Sequence, residues 1–251
     1  MLLDLKFLKN KYSLELSTIV HVGAHKGQEV KDYLENFPTV QIHLFEPQPK
    51  LSQYLEKKYK NSSNISLYNF ALGSSNISLP MFLSSNDGES SSFYKPKEHL
   101  ALYPDINFEK NDSVFEIKIL DELNIQNIDL LNIDTQGFEL EVLKGSIDVL
   151  TYNVKYILIE INKTEIYEAA PMLKDIDLFL KKYNFIRTDT QFWAETDPWG
   201  DAFYIKKELI SFKRLIYTSL KNNLYTFSMI YKLLIFLRNT FWKLKAKLFN
   251  E

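Results

Sequence analysis

The feature that most constrains this chain is an alternation of short β-branched runs with helical segments over its first 70 residues. Thr18-Ile19-Val20-His21-Val22 ends at Gly23, residues 28–37 read as a helix stopped by Pro38, and 40–45 is a second strand. A helix over 49–59 and a strand over 65–70 follow. A β-α-β-α-β order predicts a parallel sheet with crossover helices. Residues 128–133 and 154–161 are nearly unbroken apolar runs, as expected of central strands buried on both faces. Helices over 138–150 and 172–183 follow them, and final strands fall at 185–192 and 202–205. Strands over 76–83 and 114–120 flank a long polar stretch, 84–112, a length that predicts a functional lid or a mobile segment.

Composition narrows the chemistry. The chain has 251 residues, 45% hydrophobic and 25% charged, enough for a sizeable core. It has no cysteine, which excludes disulfides, thiolate zinc sites and a cysteine nucleophile, and its four histidines leave little room for a metal site. We therefore expect no metal. Net charge is −2, but ten Lys/Arg and two Glu stand from Lys206 to the end, so an acidic body precedes a basic tail. The acidic body argues against a nucleic-acid partner. The start carries neither an unbroken apolar run nor a cleavage site, which predicts a cytoplasmic protein. We expect a domain over 1–206 and a tail over 207–251. Apolar residues recur every three or four positions from Leu209 to Leu248, one face of amphipathic helices. Such a basic stripe suits peripheral contact with the inner face of a membrane, and equally packing on the body or self-association through 208–251.

Three motifs carry the candidate chemistry. Val22-Gly23-Ala24-His25-Lys26-Gly27 turns from the first strand into a helix, where small residues admit a ligand close to free N–H groups. An ordinary tight turn explains it as well. The second strand ends at Glu46, 19 residues after Gly27, where a carboxylate can accept from a ribose diol or simply be solvated. The third is Asp134-Thr135-Gln136-Gly137-Phe138-Glu139, where a strand-end carboxylate can orient a hydroxyl or act as a base. Helix capping by Asp134 or Thr135 is the competing reading. On the helix that follows, Leu140 and Leu143 are expected to bury, with Glu139 and Lys144 outside their stripe.

These segments, with Asn69-Phe70-Ala71-Leu72-Gly73, Ser90-Ser91-Ser92, Glu160-Ile161-Asn162 and Trp199-Gly200-Asp201-Ala202, resemble the FkbM family of S-adenosylmethionine-dependent methyltransferases from Thr18 to Lys206. The resemblance implies a Rossmann-like class I methyltransferase fold, with a seven-stranded, mostly parallel sheet and an antiparallel last strand. It implies S-adenosyl-L-methionine held at its methionine end by His21, Gly23, Ala24, His25 and Gly27, at its ribose by Glu46 and at its adenine by Ala71. Many relatives have an acidic residue where this chain has His21, and others have Glu at Gln136.

Methyl transfer needs an acceptor placed in line and relieved of its proton. Asp134 is the first candidate for that work, with Glu160 and Asn162 next; His25 and His43 are weaker. The family implies O-methylation of a sugar hydroxyl, in polysaccharide biosynthesis or on a small natural product. Ser91, Ser92, Gln136 and Trp199 are the candidate acceptor contacts. The competing readings are a catalytically inactive glycan- or nucleoside-binding module on the same fold and a nicotinamide-dependent oxidoreductase; the absence of a Tyr-x-x-x-Lys pair in the segments directly after the fourth strand, where that class often places one, speaks against the latter.

Overall fold

A computed structural model of the protein describes residues 2–194 and 197–210. In chain order the elements are α1 (Leu5–Tyr12), β1 (Thr18–Val22), α2 (Val30–Asn36), β2 (Gln41–Phe45), α3 (Pro49–Tyr59), β3 (Ile65–Tyr68), β4 (Ala71–Leu72) and β5 (Ile77–Ser84). There follow α4 (His99–Leu102), β6 (Phe108–Lys118), β7 (Leu130–Ile133), α5 (Glu139–Lys144), α6 (Ile147–Tyr152), β8 (Tyr156–Asn162), α7 (Leu173–Lys182), β9 (Phe185–Phe192) and β10 (Trp199–Lys206).

The main sheet has the order β3-β2-β1-β7-β8-β10-β9. Neighbours from β3 to β8 run parallel, and β10 runs antiparallel to both β8 and β9. This is the mostly parallel, Rossmann-like sheet with one reversed strand that the family resemblance implies. Strand order reverses between β1 and β7, and ligands in such sheets bind at the carboxyl ends beside that point.

Side-chain alternation assigns the faces. Val20, Val22, Leu131, Ile133, Ile157, Ile159, Ala202 and Tyr204 point to one face and pack with Val142 and Leu143 of α5, Val149 and Leu150 of α6, and Ile176 and Leu180 of α7. On the other face Tyr33 of α2 reaches His21 and Asn132. Residues buried on both sides of β1 and β7 explain their continuous apolar character.

Three features depart from the expectation. A separate three-stranded sheet, β4-β6-β5, stands beside the main one. Its β6 begins at Phe108, inside the stretch expected to be loop. The helix expected over 138–150 is two helices, because Gly145 ends α5 against Gly73: a side chain at Gly145 would lie 1.8 Å from the Gly73 carbonyl oxygen. Glu139, expected outside the buried stripe, is 1% exposed, whereas Leu140 is only partly buried.

The site described below lies within the first of the two units into which the chain divides, Met1–Lys206. Of the second, Lys207–Leu209 is a short 3-10 turn. The amphipathic stripe expected over 208–251 falls almost wholly outside the described residues. No described helix is long and apolar enough to cross a membrane.

Candidate active site

The turn after β1 is fixed by its contacts with both neighbouring strands. Gly23 has φ +83°, and a Cβ there would stand 1.8 Å from the Asp134 carbonyl oxygen. Only glycine permits both the conformation and this approach of the β1 and β7 ends. The Gly23 and Ala24 N–H groups both donate to the Phe45 carbonyl at 3.0 Å. At the end of β2, Glu46 is 3% exposed; its Oε2 accepts from the His25 N–H at 2.8 Å and its Oε1 from the Gln48 N–H at 2.9 Å. Burial raises its pKa, and the two N–H donors work against that rise.

Two cavities open here. The first is a cleft of about 50 Å³ in which Gly23, Glu46 and Asp134 line a polar side and Ala71, Met81 and Phe138 an apolar one. It is narrow because residues 86–91 lie over it. His25 Nε2 is 3.1 Å from the Asp87 carbonyl, Lys26 pairs with the Asp87 carboxylate at 2.8 Å, and Gln48 Nε2 donates to the Gly88 carbonyl at 3.1 Å. The second cavity, about 420 Å³, is lined among others by Asp134, Glu160, Asn162, His99, Tyr167 and Trp199. The two share Gly23, His25, Glu89, Asp134 and Gln136, so they meet at the end of β7.

At that meeting point Gln136 organises the carboxylates. Its Nε2 donates to Asp134 Oδ1 at 2.9 Å and to Glu160 Oε2 at 3.1 Å. The Tyr167 hydroxyl shares its proton between Gln136 Oε1 at 3.0 Å and the Ser90 carbonyl at 2.9 Å. Ser92 Oγ donates to the Gln136 carbonyl at 2.7 Å, holding a residue whose φ is +54°. Burial pushes the Asp134 carboxyl up to about 6, with the Gln136 amide opposing. Burial, then the Asp134 charge, pushes Glu160 well above the ordinary carboxylate range. Both carboxyls are thus raised, Glu160 further than Asp134, and the two titrate as one coupled pair.

The helix-cap reading of this segment is answered by Glu139. Its Oε1 accepts from the Thr135 and Gly137 N–H groups, both at 3.0 Å, and from Thr135 Oγ1 at 3.1 Å. Asp134 is thereby left to face the cavities.

Segment 85–107 roofs the larger cavity together with residues after β8. The Lys97 and His99 N–H groups donate to the Ile166 carbonyl, and Glu168 N–H donates to the Lys95 carbonyl. Ion pairs Lys95–Glu168 and Lys97–Glu165 add to this seam. The Trp193 and Trp199 rings stack 6.0 Å apart, and Trp199 Nε1 donates to the Tyr103 hydroxyl at 2.8 Å.

The expected site residues divide accordingly. Gly23, His25, Glu46, Ala71, Asp134 and Gln136 line the cleft, and His21, Glu160, Asn162 and Trp199 the larger cavity. Four are placed differently. Ala24 is fully buried behind the turn and Gly27 packs under Tyr59, so neither side reaches a cavity. Ser91 faces the narrow cleft rather than the larger cavity, with its Oγ on the Ser84 N–H. Ser92 is 1% exposed and supports Gln136 from behind. His43 pairs with Tyr68 at 3.1 Å, away from both cavities. Sequence reasoning missed Glu29, at the start of α2 just after the Gly27 turn, and His99, Tyr103 and Tyr167, which only the packing of distant segments brings to the cavity. Among the described residues no group of three or more acidic or histidine side chains could hold a metal.

A family model described as the methyltransferase FkbM domain matches residues 21–187. The chain belongs to the FkbM methyltransferase family. It is 28% identical over 178 residues to the 2-O-methyltransferase NoeI of Sinorhizobium fredii, covering 67% of this chain and 72% of that protein. The crystal structure of methyltransferase FkbM from Methylobacillus flagellatus KT matches its fold, with a TM-score of 0.52 at 14% identity. That match covers 76% of this chain, which spans only 43% of the length of that structure. The FkbM model runs from the end of β1 to the start of β9 and takes in every residue lining the two cavities except Leu2, Trp193, Trp199 and Asp201.

Proposed function

We propose that this FkbM-family chain transfers a methyl group from S-adenosylmethionine to a hydroxyl oxygen of a sugar, in a glycan or a related small natural product. The observation that carries the reading is the meeting of the two cavities at Asp134, with Gly23 and Glu46 on the narrow side and a Trp-flanked space on the wide side. The similarity to a 2-O-methyltransferase supports oxygen as the acceptor atom.

The residues of the cleft fit the cofactor. Each Glu46 oxygen takes one N–H donor and keeps a lone pair for a ribose hydroxyl. Ala71, Leu72, Met81, Phe93 and Phe138 line an apolar slot for the base. Gly23 lets the bound molecule lie close to the backbone. When bound, S-adenosylmethionine supplies a methyl group on a sulfonium, an electrophile that needs no activation by the protein. What remains is to place the acceptor and take its proton. Asp134, ionised near neutrality, orients the hydroxyl and accepts its proton, while Gln136 fixes the carboxylate. Glu160 and Asn162 extend the polar wall, and the Trp pair offers an apolar face to a sugar ring.

Incubation with labelled S-adenosylmethionine and extracted cell-surface polysaccharide tests this. Label is expected in the glycan with the wild type and not with Asp134→Asn. Cofactor binding with no transfer to any glycan would favour the inactive binding module instead.

A further inference from the structure

His99 opens α4, in the segment that roofs the larger cavity, and it lines that cavity but not the narrow cleft. It is 4% exposed. Three rings enclose it, with centroids 5.0 Å away for Tyr103, 4.9 Å for Phe108 and 5.6 Å for Tyr167. None of them satisfies the imidazole. The Tyr167 hydroxyl donates to Gln136 and to the Ser90 carbonyl, and the Tyr103 hydroxyl accepts from Trp199. Among the described residues, His99 Nδ1 is one of two buried side-chain polar atoms without a hydrogen-bond partner. Nε2 has no partner there either, and it is not closed off as Nδ1 is, so it is the nitrogen that the cavity meets.

Packing alone does not account for a histidine at this place. A phenylalanine would fill the aromatic enclosure without a polar atom to strand, and an unpaired buried nitrogen costs stability. The backbone holds the ring where it is: the Lys97 and His99 N–H groups both donate to the Ile166 carbonyl. The surroundings select what the ring can bind. Burial lowers the His99 pKa, so the imidazole is neutral near pH 7. A neutral imidazole offers a lone pair at Nε2 in one tautomer and an N–H in the other. A carboxylate meets only the N–H and an ammonium only the lone pair, whereas a hydroxyl meets either. Through Tyr103 the imidazole also joins the Trp199–Trp193 stack, so one polar nitrogen is set in a wall of aromatic faces. A sugar ring is the complement of such a wall, with C–H faces that pack on aromatic rings and a rim of hydroxyls. The residues shared by the two cavities, Asp134 among them, mark the reacting end, and His99 is not one of them.

We propose that His99 Nε2 hydrogen-bonds a second hydroxyl of the acceptor, not the one that is methylated, so that this position selects a polyhydroxylated acceptor. The inference rests on the reading that the chain methylates a sugar hydroxyl.

Initial rates of labelled methyl transfer to extracted cell-surface polysaccharide, measured across acceptor concentrations at saturating S-adenosylmethionine, test it. Calorimetric binding of S-adenosylhomocysteine and a melting curve accompany each preparation. His99→Phe, which keeps the ring packing, is expected to raise KM for the polysaccharide roughly five- to tenfold and to leave kcat within about twofold. His99→Gln, which restores a hydrogen-bonding group, is expected to recover most of the lost KM. Both variants are expected to bind S-adenosylhomocysteine as the wild type does, since His99 does not line the cleft. His99→Phe is expected to melt no lower than the wild type, since it strands no nitrogen. A His99→Phe with the wild-type KM, or a raised KM that His99→Gln does not recover, would overturn the inference. A loss confined to kcat would place His99 at the reacting hydroxyl and overturn it too, as would a His99→Phe that loses thermal stability and cofactor binding together. A wild type that binds S-adenosylhomocysteine but methylates no polysaccharide would instead overturn the glycan reading, and the inference with it.

Discussion

Asp134 is held where its function and the stability of the fold oppose each other. Its pKa, raised to about 6 by burial, is matched by Glu139 at about 7 and by Glu160, which burial and the Asp134 charge raise well above the ordinary carboxylate range. Folded-state values above the ordinary carboxylate range near ~4 mean stability that is complete below that range and lost as pH rises through about 6 to 7. Asp134→Asn, which removes a buried charge, is therefore expected to raise the thermal midpoint at pH 8 by a few degrees while abolishing methyl transfer. A melting curve and a transfer assay on the same preparation check both halves. The base role sets the opposite pH sign for catalysis: kcat/KM is expected to fall as pH drops through about 6, where Asp134 becomes protonated. A pH profile flat from 5 to 8 would contradict that role. Behind the cavity, Tyr33→Phe leaves the Asn132 amide and His21 Nδ1 without a partner. Denaturant unfolding is expected to show a loss of about 1–3 kcal/mol.

At the scale of elements, residues 86–91 lie over the narrow cleft and are expected to open for cofactor loading and to close on the bound molecule. Lys26 and Gln48 latch that loop from the β1 and β2 turns. Lys26→Ala combined with Gln48→Ala is expected to speed dissociation of S-adenosylhomocysteine several-fold in stopped-flow measurements, with the fold unchanged; an unaltered off-rate would remove the latch. The main sheet was legible because β1, β7 and β8 are mostly buried on both faces and so spell nearly continuous apolar runs. The small sheet was not. β4 has two residues, and the start of β6, Phe108-Glu109-Lys110-Asn111, is as polar as a loop. The break at Gly145 escaped notice because its cause, the Gly73 backbone, is far away in sequence. In the site, Gly23, Glu46 and Asp134 could be read because strand ends have a recognisable address. Tyr167 and His99 could not, since nothing local marks a loop residue that closes a cavity built by other segments.

For the whole molecule, the sheet order puts the ends of β1, β2 and β7 side by side, and three residues distant in sequence line one crevice. All of them belong to the unit Met1–Lys206. A chain ending at Ile210 is accordingly expected to unfold cooperatively and to bind S-adenosylhomocysteine as the full chain does; loss of binding would give residues 211–251 a part in the site. The central claim is that this crevice grips one sulfonium nucleoside with its methyl group facing Asp134. A crystal structure of the S-adenosylhomocysteine complex tests it most directly. The account predicts both ribose hydroxyls on the Glu46 carboxylate and the sulfur at the junction of the two cavities beside Asp134. A ligand bound elsewhere, or bound here with its sulfur turned away from Asp134, would contradict it.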